Sequence, residues 1–222
     1  MQMSGPEISS HSEAFQPPDR IRQDILCRLR WSNLWPVEEI TIEYGLEKDG
    51  TEKRQPFLSH PLAMESLADP PVSRLQLSSV DLYEAKHFHV LSESYLDEPL
   101  IIENTDGRPI TFTNFVTEAH NYLGRHKDAL VLWRKTAGFS NPPPPGENVG
   151  PSSFCALYTP GEHNLFFKSA SGVECPQGFF VDIGTFMEGE RGRSNEALWK
   201  SQREIPAYAP LRRASRPRTA LS

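Results

Sequence analysis

Residues 98–133 constrain the fold more than any other segment, because they read without interruption as strand, turn, strand and helix. Pro99 to Glu103 is a short apolar strand, and Asp106-Gly107 is a dipeptide that favours a tight hairpin turn. Pro109 to Phe112 resumes the chain, and Thr113 opens a long amphipathic helix predicted over residues 113–135. Val116, Ala119, Leu123, His126, Leu130 and Trp133 form one stripe on it, widened by Phe115, Tyr122 and Ala129. Burying that stripe is worth roughly 10 kcal/mol gross at ~2 kcal/mol per large side chain, before the entropy of ordering is subtracted. Gly124 costs about 1 kcal/mol relative to alanine and marks a close contact or a break, and Gly138 ends the helix.

Two further elements flank this unit on the N-terminal side. Asp19 caps a helix predicted over residues 20–31, with Ile21, Ile25 and Leu29 recurring every four residues. Residues 38–47 alternate as a half-buried strand. Ile40, Ile42, Tyr44 and Leu46 share one face, and Glu39, Thr41, Glu43 and Glu47 largely fill the other. Asp49-Gly50 then turns the chain, and residues 51–58 return as the hairpin partner. Residues 59–73 read as loop, and residues 72–90 as one or two strands through Leu75, Leu77, Leu82, Phe88 and Val90.

On the C-terminal side, residues 141–151, with Pro142 to Pro145, form an extended proline-rich loop excluded from helix and central strand. Three short strands follow, at 154–158, 164–168 and 178–186, with Gly161 and Gly172 supplying the turns. The resulting expectation is an α+β fold. An antiparallel sheet carries the 113–135 helix across one face, with the 20–31 helix beside it. One domain spans residues 19–189. Residues 1–18 form a disordered N-terminal segment, and residues 190–222 form an irregular tail, basic from 211, with one helical turn near Glu196 to Trp199.

Composition then limits function. The hydrophobic fraction is 37% and 20 residues are proline, which fits a core flanked by irregular segments. The net charge is −6 although Arg212, Arg213, Arg216 and Arg218 all lie in the tail, so the body is more acidic still. An acidic body repels phosphate backbones and argues against nucleic acid as a partner of the main domain. Cys27, Cys155 and Cys175 are odd in number and irregular in spacing, which suits a reducing compartment rather than a disulfide framework. There is no signal-peptide pattern at the start and no apolar run near the ~20 residues that a membrane span needs. These features point to a soluble protein of the cytoplasm or nucleus.

His87-Phe88-His89 is the sharpest candidate for chemistry. On a strand, residues two apart face the same way, so both imidazoles could meet one divalent metal ion, with Glu93 as a third ligand; the alternative is a surface or half-buried strand with two unrelated histidines. The spacing His-x-His-x-x-x-Glu resembles the first metal motif of the cupin family, and residues 172–178, ending in Pro176-Gln-Gly178, are similar to part of its second. That resemblance implies a double-stranded β-barrel with a metal centre. The sequence departs from the motifs at Asp81 and Leu100, where glycines belong, and at Val181, where the last histidine ligand belongs.

Among carboxylates, Glu103, Asp106 and Asp182 are the candidates for acid–base work. Asp182 interrupts the apolar strand Phe179 to Ile183, and in an aromatic cavity it would serve as a general base with His87 or His163. Facing water, it would be an ordinary strand carboxylate. Cys155 with His163 is a conceivable thiolate pair, against the simpler reading of a core cysteine. Pro142 to Pro145 suits polyproline II docking to an aromatic groove, against the simpler reading of a plain spacer loop. Arg212-Arg213-Ala214-Ser215 resembles a basophilic kinase site.

Two functions follow from these observations. The first is a binding or interaction protein, with a protein partner contacting the Pro142–Pro145 loop or the basic tail. The second is a small metal-assisted or cofactor-free enzyme acting on a hydrophobic small molecule through His87, His89 and Asp182. A divalent metal is compatible with the sequence and not required by it.

Overall fold

Thr111 starts the main helical unit. Its side chain accepts from the Asn114 backbone N–H, while Asn114 Oδ1 accepts from the Thr111 N–H, a reciprocal cap that satisfies two helix-end donors. The helix α3 (Phe112–Arg125) follows, and α4 (Lys127–Thr136) continues after His126. A computed structural model of the chain describes residues 20–33, 35–46, 51–92, 95, 98–137 and 164–203. The other elements are α1 (Gln23–Leu26), β1 (Leu29–Arg30), β2 (Thr41–Leu46), β3 (Glu52–Pro56), β4 (Arg74–Ser79), α2 (Val80–His87) and β5 (Leu100–Glu103). After α4 come β6 (Leu165–Cys175), β7 (Gly178–Met187) and α5 (Asn195–Arg203). The fold class is α+β, as the sequence led us to expect.

The strands form two sheets rather than one. The smaller is β1-β2-β3, and the larger runs β5-β4-β7-β6. Pairing is antiparallel except between β4 and β7, which run parallel, with Leu77 opposite Val181. One continuous apolar core joins both sheets to α1, α2, α3 and α4. Ile25, Trp31, Ile42, Phe57, Leu77, Phe112, Phe115, Tyr122, Leu165 and Val181 are all buried in it.

Several expectations are corrected. The single helix over 113–135 is two helices meeting at His126. Gly124 weakens the helix here, and the His126 ring is tethered by the Tyr95 hydroxyl at 2.5 Å. The 20–31 helix stops at Leu26. Leu29 to Ser32 are buried without an exposed stripe, and Leu29-Arg30 instead pair with Ile42 and Thr41. The 51–58 return is β3, paired antiparallel with β2 as expected, although the Asp49-Gly50 turn lies outside the described residues. The alternation of β2 fails at a register shift between Glu43 and Gly45. Such an irregularity re-aims side chains, so Glu43 is buried against Arg30 while Tyr44 is 48% exposed. β5 pairs with β4 rather than with residues 109–112, so Asp106-Gly107 turns the chain without closing a hairpin ladder. The 154–158 strand and the 141–151 loop lie outside the described residues.

Gly172 is not a turn. It lies inside β6, opposite Val181, and the β6–β7 turn is Pro176-Gln177. A Cβ on Gly172 would lie 2.5 Å from Phe179 Cζ and 2.9 Å from Ile21 Cγ1. Phe179 itself is buried, with the Arg20 guanidinium 5.3 Å above its ring, so it has little room to yield. Gly172→Ala is therefore expected to destabilise the protein by about 1–3 kcal/mol, the usual range for overpacking. Urea unfolding followed by circular dichroism checks this. A midpoint equal to that of the wild type would show that the Phe179 ring swings away freely.

Candidate functional site

The segment carrying His87 and His89 is helical, not extended. Strand β4 ends at Ser79, and α2 begins at the next residue. Asp81 explains the switch. Its Oδ2 accepts from the Thr185 backbone N–H at 2.7 Å and from the Thr185 hydroxyl at 2.8 Å, pinning the first turn of α2 to β7. Asp81 also meets Arg134 of α4 at 2.7 Å, and Arg134 meets Glu190 at 3.3 Å. All three charged side chains are buried.

The end of α2 is equally well defined. The His89 N–H donates to the Lys86 carbonyl at 3.0 Å, and the Val90 N–H donates to the Ala85 carbonyl at 2.9 Å. That pair of bonds is the Schellman stop, which requires a left-handed residue just past the helix. His89 fills that position with φ 56°. Histidine is one of the few non-glycine residues that tolerate it.

This geometry separates the two imidazoles by role. His87 is the last residue of α2 and His89 is the left-handed residue beyond the cap, so the shared strand face expected for a metal pair does not form. Both side chains are exposed. Glu93, the expected third ligand, lies outside the described residues, and among the described residues no group of three His, Cys, Asp or Glu side chains could hold a metal ion. The open sheets and intervening helices are not the double-stranded barrel that the motif resemblance implied.

Asp182 lies on β7 and is exposed, accepting a hydrogen bond from Ser78 Oγ across the parallel pair. Glu103, on the edge strand β5, faces Arg74 at 3.4 Å. The carboxyl of Asp106 is held below the usual range by the Arg108 backbone N–H and then by the Arg108 side chain. Burial pushes the Cys27 thiol up to about 12, which leaves it a packing residue rather than a nucleophile. Cys155, His163, Pro142 to Pro145 and the Arg212–Ser215 motif lie outside the described residues.

What the structure does bring together is aromatic. Tyr83 and His87, one turn apart on α2, stack at 6.2 Å between ring centroids with an interplanar angle of 8°. His87 meets Phe88 edge-on at 5.1 Å, and Phe88 stacks on Trp133 of α4 at 5.7 Å and 8°. Four rings thus run in a ladder from α2 onto α4. Trp133 is its buried foot, while Tyr83 is 69% and Phe88 63% exposed. Reading 72–90 as strand concealed the ladder. The spacing of Tyr83 and His87, four residues apart, was the signal that could have found it.

A cavity of about 230 Å³ opens elsewhere, at the start of α3, between Met64, Asn104, Arg108, Pro109, Thr111 and Asn114. None of the residues expected to do chemistry lines it. Among the described residues, no helix is long and apolar enough to cross a membrane. No family model matches the chain, and neither a curated protein nor a solved structure matches it.

Proposed function

We propose that this chain is an interaction protein of the cytoplasm or nucleus, and that it recognises a protein partner through the aromatic ladder Tyr83, His87 and Phe88. The observation carrying this reading is the exposure of two large rings, Tyr83 and Phe88, that each stack on a neighbouring ring. Exposed aromatic rings on a rigid element lose little entropy on binding and supply large contact areas, which is why they dominate interface hot spots. The cap at His89 and the buried Asp81–Arg134 pair hold α2 at both ends, so the ladder is presented before any partner arrives. The Pro142–Pro145 run and the arginines from Arg212 onward are the sequence segments we assign to flanking contacts.

The test compares the full-length wild type with a Tyr83→Ser/Phe88→Ser variant in photo-crosslinking followed by mass spectrometry. Loss of two hot-spot rings is expected to lower recovery of the specific partner at least ~10-fold. Thermal unfolding of the variant should stay close to wild type, because the two rings are mostly in water. Identical crosslinked partners at identical yield would remove the ladder from the recognition surface.

A further inference from the structure

The C-terminal helix α5 is attached to the body by little. Its own start is local: Ser194 Oγ accepts from the Ala197 N–H at 3.3 Å. Toward the body it buries Leu198, Trp199 and Gln202. Among the described residues, Leu198 and Trp199 join Phe166 of β6 and Phe186 of β7 in an apolar cluster separate from the main core. The Gln202 side-chain amide donates to the Lys168 carbonyl at 2.7 Å. Among the described residues, Glu196 and Lys200 form no ion pair with the body.

The docking also leaves costs unrecovered. Trp199 Nε1 and Gln202 Oε1 are buried with no hydrogen-bond partner. Each would regain water on release, so burial opposes docking at these two atoms. Two guanidiniums lie over the indole instead, Arg30 at 5.4 Å and Arg54 at 5.6 Å from the ring centroid. A helix of nine residues does not persist in water by propensity alone, so α5 exists as a helix only while it is docked. Few buried apolar contacts and orphaned polar atoms are the marks of a segment that opens before the whole protein does.

We propose that α5 is a detachable clasp. It closes by seating Trp199 in a notch formed by Phe166, Phe186, Arg30 and Arg54, and it opens as a unit while both sheets stay folded. Opening bares an apolar floor rimmed by two arginines. The proposal is independent of the aromatic ladder on α2.

Hydrogen exchange with mass spectrometry on the full-length protein tests it, alongside Trp199→Ala. In the wild type, α5 amides are expected to exchange at least ~100-fold faster than those of α3 and β7, as a sub-global opening requires. In Trp199→Ala, α5 protection should vanish while α3 and β7 protection stays at wild-type values. Equal protection of α5, α3 and β7 in the wild type would overturn the clasp. So would a loss of α3 and β7 protection in Trp199→Ala that matches the loss in α5, because the tryptophan would then be part of the global core.

Discussion

Arg134→Met is expected to cost about 3–5 kcal/mol of stability, because it strands two buried carboxylates without their cation. Arg134 meets Asp81 at 2.7 Å and Glu190 at 3.3 Å, and its guanidinium also donates to the Thr185 carbonyl. Methionine preserves much of the packing volume, so the loss reports charge rather than a cavity. Asp81→Asn is the internal control. Its amide oxygen can still accept from the Thr185 N–H and hydroxyl and Arg134 keeps Glu190, but the amide NH2 then meets the guanidinium donor to donor, so a loss of about 1–3 kcal/mol is expected. Urea unfolding of the three proteins gives the comparison. An Arg134→Met midpoint indistinguishable from wild type would mean that water reaches the carboxylates. The cluster would then not anchor α2 to α4 and β7.

Trp31→Ala is expected to be of the same size, about 3–5 kcal/mol, by loss of transfer free energy and creation of a cavity. Trp31 is the largest of the fully buried side chains. Its ring stacks on Phe167 of β6 at 4.6 Å, and its carbonyl accepts from the Phe167 N–H at 3.1 Å. It therefore joins the segment after β1 to an edge of the larger sheet. Trp31→Phe retains a stacked ring and is expected to lose roughly half as much. Calorimetry on both variants separates the cases. If alanine and phenylalanine cost the same, the stack is incidental and the backbone pairing holds the seam.

Local pattern was enough for the elements whose environment is one-sided. Val116, Ala119, Leu123, Leu130 and Trp133 are buried as their spacing requires, and the Ile40–Ile42 strand returns through β3. Strand β7 was likewise legible from Phe179 to Ile183. Legibility failed where both sides of a segment are covered or where a single distant partner decides. Leu29 to Ser32 lie under other chain segments on every side, so their helical spacing carried no information about pairing. Glu43 reads as a solvent residue until Arg30 is placed beside it. Asp81 reads as a surface acid until Thr185 and Arg134, 104 and 53 positions away, come to it. The switch from strand to helix at Val80, and hence the fate of His87 and His89, follows from that contact.

The amino-acid sequence by itself determined an α+β chain with an amphipathic helical unit, an N-terminal hairpin and late strands. Hydrophobic periodicity and turn chemistry act over a few residues and need no knowledge of the rest. The tertiary structure alone decided that the sheet divides in two, that β4 runs parallel to β7, and that Gly172 lies under Phe179. It also decided that His87 joins an aromatic ladder at the end of a helix while His89 takes the left-handed position beyond it. The reason is physical. Buried charge pairs, close backbone approaches and ring stacks are interactions between residues far apart in the chain, and no local pattern records which partner each will find.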